Sequence, residues 1–133
     1  MRKDNWQHLL ADVLASAQLR PFAWGENDCC LFASDCAMAI TGIDPAANYR
    51  DRYTTEIGAK RVLHKEHGSI EAAFDACFDR VEPNFAKRGD LVLFEGALGK
   101  TVGVIWASQI WTVGESGVGA VRDRVPYVAW SVE

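Results

Sequence analysis

The order of residue types predicts an α+β domain in which helices come first and an antiparallel sheet closes the chain. Two patterns carry this. Up to Phe78, apolar residues recur at three- and four-residue spacing, whereas after Pro83 they gather in short β-branched and aromatic runs separated by glycines. No repeat, low-complexity tract or Gly/Ser linker interrupts the 133 residues, so residues 1–133 read as a single domain.

Taken in order, Trp6, Leu9, Leu10, Val13, Leu14 and Ala17 define an amphipathic helix over Asn5 to Ala17 that ends before Pro21. A loop follows from Pro21 to Asn27. Asp28 to Ile40 is apolar on nearly every side, the mark of a buried helix. Asp28 suits its N-cap and Gly42 its C-terminal stop. Asp44-Pro45 to Tyr53 is a second loop, carrying Arg50, Asp51 and Arg52 between two tyrosines as an ion-pair network or a clamp on the Asp44 loop. Two further helices are expected, Thr54 to Glu66 capped by Thr54 or Thr55, and Ser69 to Phe78. Strands are expected at Leu91 to Phe94, Val102 to Ala107, Gln109 to Val113 and Tyr127 to Val132. Gly114, Gly117 and Gly119 read as hairpin material, because no helix follows them as a phosphate loop requires.

With 49% apolar and 24% charged residues the chain can bury a core, which excludes collagen, a long coiled coil and a disordered tail. No apolar run approaches the roughly 18 to 20 residues of a membrane span, and Met1-Arg2-Lys3-Asp4-Asn5 leads into no signal-peptide core. The expectation is cytoplasmic synthesis and no membrane anchor. A net charge of −4, with 14 basic residues scattered along the chain, argues against nucleic acid as a partner.

Three of the four cysteines, Cys29, Cys30 and Cys36, fall within eight positions, and the fourth is Cys77. On a helix rising about 1.5 Å per residue, Cys29 and Cys36 stand about 10 Å apart and Cys30 and Cys36 about 9 Å. Neither pair can then close a disulfide, and the thiols are expected to be reduced. No C-x-x-C pair is present, so no metal site and no cofactor are expected. Cys36 and Cys77, beside Phe32, Ile40, Phe74 and Phe78, read as core residues. Cys29 differs: it opens a buried helix just after an aromatic-glycine loop, where free N–H groups and the helix dipole favour a thiolate.

The order Trp24-Gly25, Asp28-Cys29, then Gly89-Asp90-Leu91-Val92-Leu93-Phe94, then Val102-Gly103-Val104 resembles the NlpC-type papain-like cell-wall amidopeptidases. In them an Asp-Cys pair starts the central helix and a His-Val-Gly-Ile strand supplies the base. The likeness spans about Pro21 to Gly114. More narrowly, Trp24-Gly25, Asp28-Cys29, Phe32-Ala33, Asp35, Gly42-Ile43-Asp44-Pro45, Tyr49-Arg50, Arg52-Tyr53 and Ala129-Trp130-Ser131-Val132 are similar to small bacteriophage and prophage tail-tip proteins related to that fold.

The resemblance implies a papain-like α+β domain with N-terminal helices, a central buried helix starting at Asp28/Cys29 and a C-terminal antiparallel sheet. Carried over residue by residue, Cys29 takes the nucleophile position and Cys30 stands where a small residue is usual. The base position, just before Val102-Gly103, is Thr101, which cannot accept a thiol proton near neutral pH. The orienting position falls near Thr112 or Val113. Thr101 is therefore expected to lie across from Cys29, with Cys29 inactive for want of a base. His8, His64 and His67 lie outside the sheet half, and His64 and His67 suit a helix C-terminus.

The implied function is a structural, non-enzymatic component of a phage or phage-like tail tip or baseplate. Its partners would be tail hub and distal tail proteins, with contact to peptidoglycan, and its place the virion tail after synthesis in the host cytoplasm. The alternative is an active cysteine amidase or peptidase acting on peptidoglycan during genome delivery, with Cys29 as nucleophile and a base elsewhere. A small module binding a metal cluster or a peptide without turnover is a third reading. Trp6, Trp106, Trp111 and Trp130 are the expected sources of an apolar interface.

Overall fold

A computed structural model describes residues 1–133. Four helices, α1 (Trp6–Gln18), α2 (Cys29–Thr41), α3 (Glu56–Glu66) and α4 (Ile70–Asp75), precede six strands. These are β1 (Asp79–Val81), β2 (Leu91–Gly96), β3 (Gly99–Trp106), β4 (Gln109–Gly114), β5 (Gly117–Val121) and β6 (Val128–Ser131), with one 3₁₀ turn at Pro83–Phe85. All neighbours are antiparallel, in the order β1-β6-β2-β3-β4-β5. The α+β class and the helices-then-sheet order follow the sequence expectation.

The central helix forms for the expected reasons. The Asp28 carboxylate accepts the Leu31 N–H at 2.9 Å, satisfying an otherwise free donor of the first turn. At the other end Gly42 adopts φ +83° and returns its N–H to Met38 O, ending α2. Between these caps Phe32, Ala33, Cys36, Ala37 and Ile40 are buried in the main core with Leu10 and Leu14 of α1 and Leu91, Leu93, Val102, Val104 and Trp130 of the sheet. At about 25 cal/mol per Å² of apolar surface removed from water, this layer between helices and sheet is the dominant stabilising contribution.

A second, smaller core lies on the opposite face of the sheet, where Val92, Phe94 and Ala129 meet Val81, Ala86, Ile105, Ile110 and Val121. Strands β2 and β3 are therefore apolar on both sides. A third cluster joins Leu31, Ala46, Tyr49, Val62 and Ala73 and fixes the Asp44 loop and α3 against α2. Arg50 bridges that loop to α2, with Asp44 at 2.9 Å and Asp35 at 2.7 Å, which is the clamp arrangement.

Four details depart from the sequence expectation. The helix expected over Ser69 to Phe78 spans only Ile70–Asp75, capped by the Ser69 hydroxyl on Ala72 N–H, because the chain turns to start β1. Strand β1, polar at Asp79 and Arg80, was not expected; it forms by pairing with β6. Strand β5 occupies the Gly117 to Val121 stretch, where only turn material was expected, because its backbone completes the β4 ladder whatever its side chains. Trp130 is fully buried rather than part of a surface, with its indole N–H donated to Asp75 at 2.9 Å.

Candidate functional site at the start of the central helix

The loop before α2 is drawn in around one carboxylate. Asp28 is 2% exposed. Besides capping Leu31, it accepts the Gly25 N–H at 3.0 Å and the Tyr53 hydroxyl at 2.6 Å. Gly25 has φ +84°, and a Cβ there would lie 2.0 Å from the Tyr53 carbonyl oxygen, so only glycine lets the two loops meet. Burial and the Asp28 charge push the Tyr53 phenol well above its ordinary pKa, keeping it a neutral donor to that carboxylate.

This locks Cys29 and Cys30 as the first two residues of α2, both half-buried and both free thiols. Their sulfurs are 4.0 Å apart. The hydrogen bond from the Cys30 thiol holds the Cys29 pKa below the usual cysteine value. Burial opposes that shift, the Val102 backbone amide supports it, and the Asp28 charge works against it. The same bond, with burial, drives Cys30 well above the ordinary value, so of the two thiols Cys29 ionises first.

Strand β3 passes the start of α2, where the Val102 backbone amide meets the Cys29 thiol. Val102 belongs to the core cluster on which Cys29 and Cys30 pack. Side chains alternate across a strand, so Thr101 faces the opposite side. It pairs with Phe94 of the second core, donates its hydroxyl to Gly99 O at 2.9 Å, and fills the space beside Gly96. The carried-over base position is thus adjacent to Cys29 through the backbone while its side chain points away from the thiol. At the orienting position, Thr112 is buried and donates to Val102 O at 2.7 Å, and Val113 is in the main core.

The three histidines lie on α1 and α3, the last of them at the end of α3. His8 lies on the exposed surface 3.6 Å from Asp12, and His64 is exposed on α3. His67 caps α3, stacks on Tyr49 and shares a short hydrogen bond through Nδ1 with the Tyr49 hydroxyl. Burial pushes the Tyr49 phenol up to about 12. No three His, Cys, Asp or Glu side chains converge in a geometry able to hold a metal ion, and no helix is long and apolar enough to cross a membrane.

The thiols open onto a cleft of about 450 Å³ between α2, α3, α4 and the β2–β3 turn. Trp24, Tyr49, Tyr53, Ile70, Phe74 and Leu98 form much of its apolar wall. Lys60 and Lys100 stand on its lining, paired with Glu56 at 3.2 Å and Glu71 at 2.8 Å. Sequence reasoning did not anticipate the cleft as a whole; the available signals were Trp24 and the Tyr49-Arg50 and Arg52-Tyr53 motif, whose aromatic residues all line the cleft.

No curated protein matches the chain. A family model described as a domain of unknown function, DUF6950, matches residues 1–132, and the chain belongs to that family.

Proposed function

We propose that the chain is a papain-like domain of the NlpC type with a degenerate catalytic site, serving as a structural component of a phage or phage-like tail tip or baseplate. The observation that supports the loss of catalysis is the polar environment of the Cys29 thiol, which consists of Cys30, the Val102 backbone amide and Asp28, while Val102 itself belongs to the apolar core on which the thiol packs. A cysteine without a base has no group to protonate the leaving amine, a loss on the order of 10² to 10⁴ in rate. The helix-then-sheet order and the Asp28-Cys29 start of the buried helix support the papain-like reading. The tail-tip setting is supported by the likeness of the Trp24-Gly25, Gly42-Ile43-Asp44-Pro45, Tyr49-Arg50 and Ala129-Trp130 segments to small tail proteins, and tail hub and distal tail proteins are the corresponding partners.

The test has two parts. Purified protein is incubated with peptidoglycan stem peptides, with no hydrolysis expected, and a Cys29→Ser variant is introduced into particles, which are expected to assemble. A second reading, an active amidase using Cys29, is favoured by the open cleft and the eased ionisation of that thiol. Hydrolysis that vanishes in Cys29→Ser would establish it and overturn the first.

A further inference from the structure

Two thiols 4.0 Å apart on the wall of an apolar cleft form a nucleophilic pair with room for a reactant beside it. Amide cleavage needs a base and an acid, whereas thiol–disulfide exchange needs only a thiolate, an accessible disulfide and a leaving thiolate that solvent can protonate. The protein supplies a thiol, a second thiol 4.0 Å from it and a cleft beside both.

We propose that Cys29 is a covalent docking site that forms a mixed disulfide with a small apolar or aromatic disulfide seated in the cleft. The Cys29 thiolate attacks one sulfur of the incoming R–S–S–R, a Cys29–S–S–R bond forms as the original S–S bond breaks, and RS⁻ leaves and takes a proton from solvent. The incoming disulfide is the oxidant: Cys29 is oxidised and RS⁻ is the reduced product. Cys30 is a positioning residue, its sulfur 4.0 Å from that of Cys29. It does not resolve the adduct. Successive Cα atoms are about 3.8 Å apart, short of the 4.4 Å or more that unstrained disulfides span, and both residues are held in the first turn of α2 by the Asp28 cap. The mixed disulfide therefore persists. The aromatic walls, Trp24, Tyr49, Tyr53 and Phe74, select an apolar R group.

This inference rests on the cleft and thiol of the degenerate site, and the probe is 4,4′-dithiodipyridine on the intact folded protein. Uptake of one thiopyridyl group on Cys29 is expected, at least about tenfold faster than on Cys77 near neutral pH, because Cys77 is pushed up by burial. Cys29→Ser abolishes the fast phase. Cys30→Ala, with its fold checked by circular dichroism, moves the pH midpoint of the reaction upward, which a purely structural role for Cys30 would not do. Fast labelling at Cys30 or Cys77, equal rates at all thiols, an unchanged pH midpoint in Cys30→Ala, or conversion to a Cys29–Cys30 disulfide would each overturn it. Stem-peptide hydrolysis would sink the degenerate-site reading while leaving labelling intact; an unreactive Cys29 in protein without hydrolase activity would sink only the covalent docking.

Discussion

The Tyr53 hydroxyl donates to the same Asp28 carboxylate that caps α2, at 2.6 Å, so a loop 25 residues downstream anchors the start of the helix that carries both thiols. A buried carboxylate that accepts three donors loses about 1.5–3 kcal/mol when a charge-assisted hydrogen bond is removed. Tyr53→Phe is expected to lower unfolding stability by that amount in urea titrations. Asp28→Ala is expected to cost more, since it strips a cap worth about 0.5–2 kcal/mol and also leaves the Tyr53 hydroxyl unpaired. Equal stability of Tyr53→Phe and the unmodified protein would mean that the contact contributes nothing.

The facing of β3 is directly testable by placing histidine on either side of it. Thr101→His projects toward Phe94 and the second core, so the pH midpoint for alkylation of Cys29 should stay where it is. Val102→His puts the imidazole on the thiol side and should lower that midpoint by about one unit or more, at a cost of about 1–3 kcal/mol for a polar, larger group in a buried position. The reverse pattern would show that the strand faces the other way.

Which side of β3 faces α2 is not legible in the sequence, for a physical reason. Strands with one wet face show which side is inward by alternating polar and apolar residues. Here Leu91, Val92, Leu93 and Phe94 are all buried, as are Thr101, Val102, Gly103 and Val104, because cores lie on both faces of the sheet. The alternation that would have marked the helix side is therefore silent. The central helix was legible because its signals are local: Asp28 as cap, Gly42 as stop and an all-apolar run between them. Strands β1 and β5 were not, since Asp79-Arg80 and Gly117-Val118-Gly119 owe their strand form to neighbours that no local pattern names. The cleft, assembled from four separate segments, was illegible for the same reason.

Alkaline pH should weaken the fold. Burial raises the folded-state pKa of Cys36 well above 9.0 and that of Tyr49 from 10.0 to about 12. A raised folded pKa leaves stability intact below the unfolded value and removes it as pH climbs toward the folded value, because the unfolded chain ionises first. Unfolding free energy should therefore hold to about pH 8.5 and then fall, with a limiting slope of about 1.4 kcal/mol per pH unit for each such group. Cys36→Ala, measured by urea titration across the same range, should start less stable but decline less steeply. A flat profile from about pH 8 to 10.5 would contradict the assignment.

Four of the tryptophans should separate into three groups by what their side chains touch. Trp130 is fully buried against Phe74, with ring centroids 5.2 Å apart and its N–H on Asp75, so Trp130→Ala removes a large core side chain and the indole's hydrogen bond. A loss of about 3–5 kcal/mol is expected, a large share of the about 5–15 kcal/mol by which domains are ordinarily stable. Trp6 and Trp106 are half-buried and meet edge to face at 6.3 Å, with the Arg88 guanidinium 5.6 Å from the first ring and 5.5 Å from the second. Their alanine variants keep the main core and should fold. If the domain acts through contacts in a tail, this half-buried edge-to-face pair is the candidate aromatic anchor, and an anchor at the centre of an interface costs about 2 kcal/mol or more when truncated. Folded Trp6→Ala and Trp106→Ala proteins should therefore enter particles poorly while Trp111→Ala, whose indole N–H is already donated to Trp106 O at 2.9 Å, disturbs the hairpin instead. Normal incorporation of both folded variants would remove this face from consideration and shift the search to the edge of the cleft around Leu98 and Lys100.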